Sequence, residues 1–174
     1  KKRGGKIMEK GYFMLRVTHI NRATKNIVAS ASYRSDEALY SERTDEKIKF
    51  RNHIVKPESM ILTPQHAPEW TKNRQRLWNE VDKVEKHNAK TNNPRLAKEV
   101  LLSLPNDFDR EVQTELTKDF IKSEFVDNGM VADISIHRDD MNNPHAHVLL
   151  TQRPFNSDGT WGKKTKTKTR YDEN

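Results

Sequence analysis

The stretch at residues 131–153, VADISIHRDDMNNPHAHVLLTQR, constrains the fold most, because it reads as two short strands joined by a polar turn. Alternation sorts each half onto two faces. Ala132, Ile134 and Ile136 lie opposite Asp133, Ser135 and His137, while Ala146, Val148 and Leu150 lie opposite His145 and His147. The intervening RDDMNNP is a turn by composition, since Asp and Asn bond their own backbone and Pro fixes φ. Paired antiparallel across that turn, the strands bring three of the chain's seven histidines onto one polar face. A single histidine on a strand is ordinarily a hydrogen-bonded surface residue. Three on one hairpin face, with open positions left over, suit Zn, Mn, Co, Ni or Fe, and a cation so held polarises a phosphoryl or carbonyl oxygen.

With 174 residues the chain has the size of one domain, and no internal repeat marks a second. It has no cysteine, which excludes both a disulfide framework and a thiolate metal site. Its apolar runs fall far short of a membrane span and nothing resembles a signal peptide, so the expectation is a cytoplasmic protein without membrane insertion. Lys and Arg number 32 against 25 Asp and Glu, a net charge of +7 that points to a polyanionic partner, nucleic acid before membrane.

Taken in order, residues 1–12 read as a disordered or vector-derived arm, residues 13–155 as the folded domain, and residues 156–174 as a basic, flexible or DNA-contacting segment. Residues 12–19 form a strand by alternation, with Phe13, Leu15 and Val17 on its apolar face. A short helix capped near 24–26 carries Ile27, Val28 and Ala31 as its apolar stripe. Tyr33 and Tyr40 share a side of it unless Ser35 and Asp36 end it first. Residues 41–50 read as an exposed loop, and an edge strand is expected around residues 59–62, after Pro57. Helical spacing at 70, 77, 78, 81 and 84, opened by Pro68, makes Trp70 and Trp78 core anchors. Residues 95–105 form a strand with Val100, Leu102 and Leu104 on one face and Glu99, Leu101 and Ser103 on the other. A helix over 109–128 shows Val112, Leu116 and Phe120 at i, i+4, i+8 and stops at Asn128-Gly129. This order gives an α+β fold, an antiparallel β-sheet with helices packed on one face and the histidines on its two central strands.

Three motifs resemble the relaxase domain of the MobA/MobL family, the Q-type mobilisation nickases of the HUH endonuclease superfamily. SASYRSDE, residues 30–37, is similar to the family's nucleophile motif. Residues 76–108, from RLWNEVDK through RLAKEVLLSLPNDF, resemble its middle block, and HRDDMNNPHAHVLL, residues 137–150, resembles its metal motif. The resemblance implies Tyr33 as nucleophile, His137, His145 and His147 as ligands of a divalent ion, and Glu99 as an acidic residue that orients a histidine or assists proton handling. The ion implied is Mn²⁺ or Mg²⁺, with Zn²⁺, Co²⁺ or Ni²⁺ as alternatives. His19 is a weaker match to an extra histidine of some members.

The activity implied is site- and strand-specific nicking of plasmid DNA at an origin of transfer, through a 5′-phosphotyrosyl intermediate and a free 3′-hydroxyl. The implied partners are single-stranded or locally melted DNA, relaxosome accessory proteins and a coupling protein. On charge alone, Arg34, Arg138, Arg153, Lys163, Lys164, Lys166, Lys168 and Arg170 are the expected phosphate contacts. Three rivals stand beside this reading. One is a rolling-circle replication initiator using Tyr33 and Tyr40 as a pair, one a DNA-binding module with a structural metal, and one a hydrolase that uses water.

Overall fold

Residues 132–137 and 145–151 do pair antiparallel, with His137 opposite His145 and Ser135 opposite His147. The computed structural model describes residues 14–51 and 53–164. Its strands are β1 (Leu15–Asn21), β2 (Leu39–Ser41), β3 (Glu46–Ile48), β4 (Glu58–Leu62), β5 (Arg95–Ser103), β6 (Ala132–His137) and β7 (His145–Thr151). Its helices are α1 (Ile27–Ser35), α2 (Arg74–His87) and α3 (Arg110–Ile121). Five strands form one antiparallel sheet in the order β1-β5-β7-β6-β4, and β2 and β3 pair separately. The histidine strands therefore lie inside the sheet, and β5 brings Glu99 in beside them.

Helices cover both faces of the sheet, where one face was expected. On one side Ile27, Val28 and Ala31 of α1 and Leu77, Trp78 and Val81 of α2 pack on Ile20, Ala97, Val131 and Leu149. On the other, Ile121 at the end of α3 packs with Val100, Leu102, Ile134, Ile136, Val148 and Leu150. The reason lies in the inner strands, which carry apolar residues on both faces and so need cover on both.

Local chemistry sets the helix ends. Asn26 caps α1, its side chain accepting from the N–H groups of Val28 and Ala29. The helix stops at Asp36, which takes a left-handed conformation at φ 57°, so Tyr33 stays on the last turn and Tyr40 falls on β2. A 3₁₀ turn (Glu69–Lys72) follows Pro68, and α2 starts later than expected, capped by Asn73. Gly129 stops the helical segment at φ 93°, with Pro154 so close that a Cβ there would lie 2.8 Å from it.

Four further expectations need correcting. Residues 41–50 are not one loop, because β2 and β3 pair Leu39 with Ile48 and Ser41 with Glu46. β1 is an edge strand, and Leu15 and Val17 stay about half exposed while Ile20 takes the core position. In α3, Val112 and Leu116 face solvent, and the buried positions are Gln113, Thr114, Thr117 and Ile121. Polar anchors set that rotation: Gln113 Nε2 donates to Pro105 O at 2.8 Å, and Arg138 Nε donates to Gln113 Oε1 at 3.0 Å. Finally, the described beginning of the 156–174 segment, as far as Gly162, packs instead of trailing away, while residues 165–174 lie outside the described residues. Phe155 bridges to Trp161, their rings stack at 4.2 Å, and both lie against Trp70.

Trp78, fully buried, is the core anchor that its spacing predicts, and its indole N–H donates to Asp133 Oδ2 at 2.8 Å. Asp133 also receives Arg74 Nε at 2.9 Å and its second guanidinium nitrogen at 2.9 Å, and Arg74 bonds in turn to Glu37, just past α1. Breaking one side of a buried ion pair strands its partner. Asp133→Ala is therefore expected to cost about 3–5 kcal/mol of unfolding free energy in urea titration, whereas exposed Lys118→Ala should leave it nearly unchanged.

Candidate active site

The nitrogens that His137, His145 and His147 offer lie within 4.8 Å of one another, one set at the end of β6 and two at the start of β7. One nitrogen of each ring faces an oxygen of the protein. His145 Nδ1 lies 2.8 Å from Asn143 O, His147 Nδ1 lies 2.9 Å from Glu99 Oε1, and His137 Nε2 lies 2.8 Å from Arg34 O. Donation to those oxygens fixes each tautomer and leaves the remaining nitrogen's lone pair for a ligand.

Burial holds His137 down to about 4 against the single opposing bond to Arg34 O, and the neighbouring imidazoles add to the effect. His147 is likewise lowered, burial outweighing its bond to Glu99. Both rings are neutral near pH 7, as metal ligation requires. Three nitrogen donors, with no fourth ligand in the cluster among the described residues, fit a divalent cation that keeps open positions. A cleft of about 110 Å³ opens beside His145 and His147, lined also by Met14, Leu101, Ser103 and Asn143.

Glu99 sits mid-strand on β5, where burial works to raise its carboxyl. The His147 hydrogen bond and the Arg34 guanidinium outweigh that and hold it at about 2. Arg34 Nε donates to Glu99 at 2.8 Å. Because the folded value is below the ordinary 4.5, the stabilisation that Glu99 supplies is full above about pH 4.5 and is lost as pH falls toward 2. In metal-free protein, Glu99→Gln should therefore flatten the fall in thermal midpoint across that window. An unchanged acid limb would contradict it.

Tyr33 lies one residue before Arg34 on the last turn of α1 and is 41% exposed. Its ring meets Phe50 edge-on at 5.4 Å and His53 at 5.9 Å. Tyr40 is elsewhere, on β2, with its hydroxyl bonded to Asp45, a bond that raises its pKa. His19 is also apart, on β1 beside Arg95.

The arginines expected to contact phosphate are mostly committed within the protein. Arg34 serves Glu99. Arg138 points to the α3 side, away from the histidines, and bonds Glu58, Gln113, Thr114 and Arg110 O. Arg153 pairs with the buried Glu85, as does Lys164. Lys163 is exposed, and Lys166, Lys168 and Arg170 lie outside the described residues. Alternation could not reveal these pairings, which join residues up to 80 positions apart.

The sequence reading missed His53 and Asp139. His53 lies against His137 with ring centroids 4.2 Å apart and planes tilted by 52°, its Nδ1 lies 2.7 Å from Asp139 Oδ2, and its Nε2 lies 3.2 Å from Tyr33 O. Nothing periodic surrounds His53, so only the fold reveals it. Asp139, two residues after His137, stood in plain view within HRDD but read as a turn residue.

The antiparallel sheet thus carries three clustered histidines that could hold a metal ion, with Glu99 behind them and a tyrosine at a nearby helix end. The chain belongs to the MobA/MobL family, whose profile matches residues 25–174. It is 31% identical over 150 residues to a probable conjugal transfer protein TraA of Sinorhizobium fredii and 28% identical to the conjugal transfer protein TraA of Agrobacterium fabrum, each alignment covering 80% of this chain. A probable mobilization protein MobA of Bifidobacterium longum is 27% identical over 87% of it. The chain spans only 13% of the length of those TraA proteins and 26% of that MobA. A solved structure from work on the molecular basis of vancomycin resistance transfer in Staphylococcus aureus superposes with a TM-score of 0.79 at 28% identity, covering 91% of this chain and 79% of that one. Among the described residues no helix is long and apolar enough to cross a membrane.

Proposed function

We propose that this domain nicks single-stranded plasmid DNA at an origin of transfer by a transesterification in which Tyr33 is the nucleophile. The observation that carries the reading is Arg34. Its carbonyl bonds the ring of His137 and its guanidinium bonds Glu99, which holds His147, so the residue next to the tyrosine is tied to two of the three histidines. The names of the relatives, conjugal transfer and mobilization proteins, support the same process.

In the step itself the Tyr33 oxygen forms a bond to phosphorus and loses its proton. The bond from phosphorus to the 3′ oxygen breaks, and that oxygen takes up a proton to become a 3′-hydroxyl. The 5′ end stays on Tyr33 as a phosphodiester, which keeps the bond energy and makes rejoining possible. His137, His145 and His147 would hold the divalent cation, Mn²⁺ or Mg²⁺ first, whose chemistry here is to neutralise the non-bridging phosphate oxygens. Glu99 orients His147 and keeps its second nitrogen available. The exposed phenol and the open cleft beside the histidines suit a strand without a complement, since a duplex would hold its phosphates away from the recess. Accessory proteins and a coupling protein are the further partners proposed.

Two alternatives fare worse. A Tyr33–Tyr40 pair requires Tyr40 near the histidines, but it lies on β2 bonded to Asp45. A structural metal calls for a closed fourth position, and the cluster has three donors. The test is incubation with a 3′-end-labelled single strand from a cognate transfer origin and Mn²⁺, resolved on a denaturing protein gel. The label should migrate with the protein, and EDTA should prevent it. Cleaved but unattached label would instead mean that water is the nucleophile.

A further inference from the structure

Two successive carbonyls at the end of α1 are each met by an imidazole, and only one of those imidazoles belongs to the metal site. Arg34 O meets His137, while Tyr33 O lies 3.2 Å from His53 Nε2. His53 is itself held from the other side. Its Nδ1 lies 2.7 Å from Asp139 Oδ2, and Asp139 Oδ1 accepts the N–H of Val55 at 2.8 Å, which closes the segment around His53 onto the turn that follows β6.

We infer that His53 is a positioning residue that, clamped by Asp139, locks the backbone of Tyr33 to the metal strand. This rests on the reading of Tyr33 as nucleophile. Each ring nitrogen of His53 faces an oxygen and the residue stands outside the three-histidine cluster, and its ring fills the space between the Tyr33 ring at 5.9 Å and the His137 ring at 4.2 Å. Phe50 braces the tyrosine from the same segment, edge-on at 5.4 Å. Asp139 leaves β6 two residues after His137, so it fixes His53 relative to that ligand. A half-exposed tyrosine on the last turn of a helix would otherwise swing with that turn. In-line attack tolerates little of this, because a displacement of about 1 Å can cost on the order of 100-fold in rate.

The test compares single-turnover rates of adduct formation, at saturating oligonucleotide and Mn²⁺, for wild type, His53→Ala, Asp139→Ala, the double variant and His53→Gln. His53→Ala should lower the rate by about 30-fold, with the concentration of DNA at half-maximal rate and the Mn²⁺ affinity each unchanged within about twofold. Asp139→Ala, on an exposed turn, should lose a similar factor, and the double variant should be no slower than the worse single one, because the two residues act as one clamp. His53→Gln, whose amide can still donate to Tyr33 O, should recover part of the loss. A full rate in His53→Ala, a loss explained by weaker Mn²⁺ binding, or multiplying losses in the double variant would each overturn the clamp. Absence of adduct from wild type would strike at the nucleophile assignment instead.

Discussion

Tyr33→Phe is expected to abolish the protein-linked DNA product while leaving oligonucleotide binding within about twofold of wild type. The loss should be at least about 10⁴-fold, because phenylalanine lacks the oxygen that would form the covalent bond. The Tyr33 ring meets Phe50 and His53 edge-on, and phenylalanine keeps both contacts, so the fold should be undisturbed. Binding should survive because it depends chiefly on phosphate neutralisation, and for the same reason it should weaken steeply with salt in both proteins. Fluorescence anisotropy of a labelled strand reads the binding, and the denaturing gel reads the chemistry. Residual cleavage in Tyr33→Phe above about one part in a thousand would mean that a second nucleophile operates.

His147→Ala should give the next largest effect, lowering divalent-metal affinity by more than about 100-fold by calorimetry and removing cleavage at micromolar metal. The substitution acts twice. It deletes one of three donors, and it leaves Glu99 paired with Arg34 alone in a buried position. Glu99→Gln keeps all three donors and should cost less, about 10–100-fold in metal affinity, since an amide orients the imidazole more weakly than a carboxylate. Equal effects from the two would indicate that Glu99 contributes to ligation as much as His147 itself.

Much of this site was readable from spacing. The alternation through VADISIH and HAHVLL requires three histidines to share a face once the turn reverses the chain, and the same period on β5 puts Glu99 toward them. Tyr33 was legible only through its resemblance to a known motif, since nothing in the helical period distinguishes it from Tyr40. The use of the arginines was not legible. Arg34 and Arg138 carry the same charge as any DNA-contacting residue, and only the sheet pairing that carries Glu99 to one and Glu58 to the other converts them into internal struts. The rotation of α3 escaped for a similar reason. Val112, Leu116 and Phe120 make a good stripe, yet Gln113 and Thr114 hold the helix by hydrogen bonds that no hydrophobic pattern records. His53 is the clearest omission, because its partners lie 20 and 86 residues away.

The most direct measurement is the mass of the DNA-linked peptide. Adduct formed with Mn²⁺ is trimmed with nuclease and digested with trypsin, and the peptide spanning residues 26–34, NIVASASYR, is fragmented. The account predicts that this peptide carries the nucleotide on Tyr33 through a phosphodiester. A nucleotide on the Tyr40 peptide, or cleaved DNA bearing a free 5′-phosphate and no modified peptide at all, would contradict it.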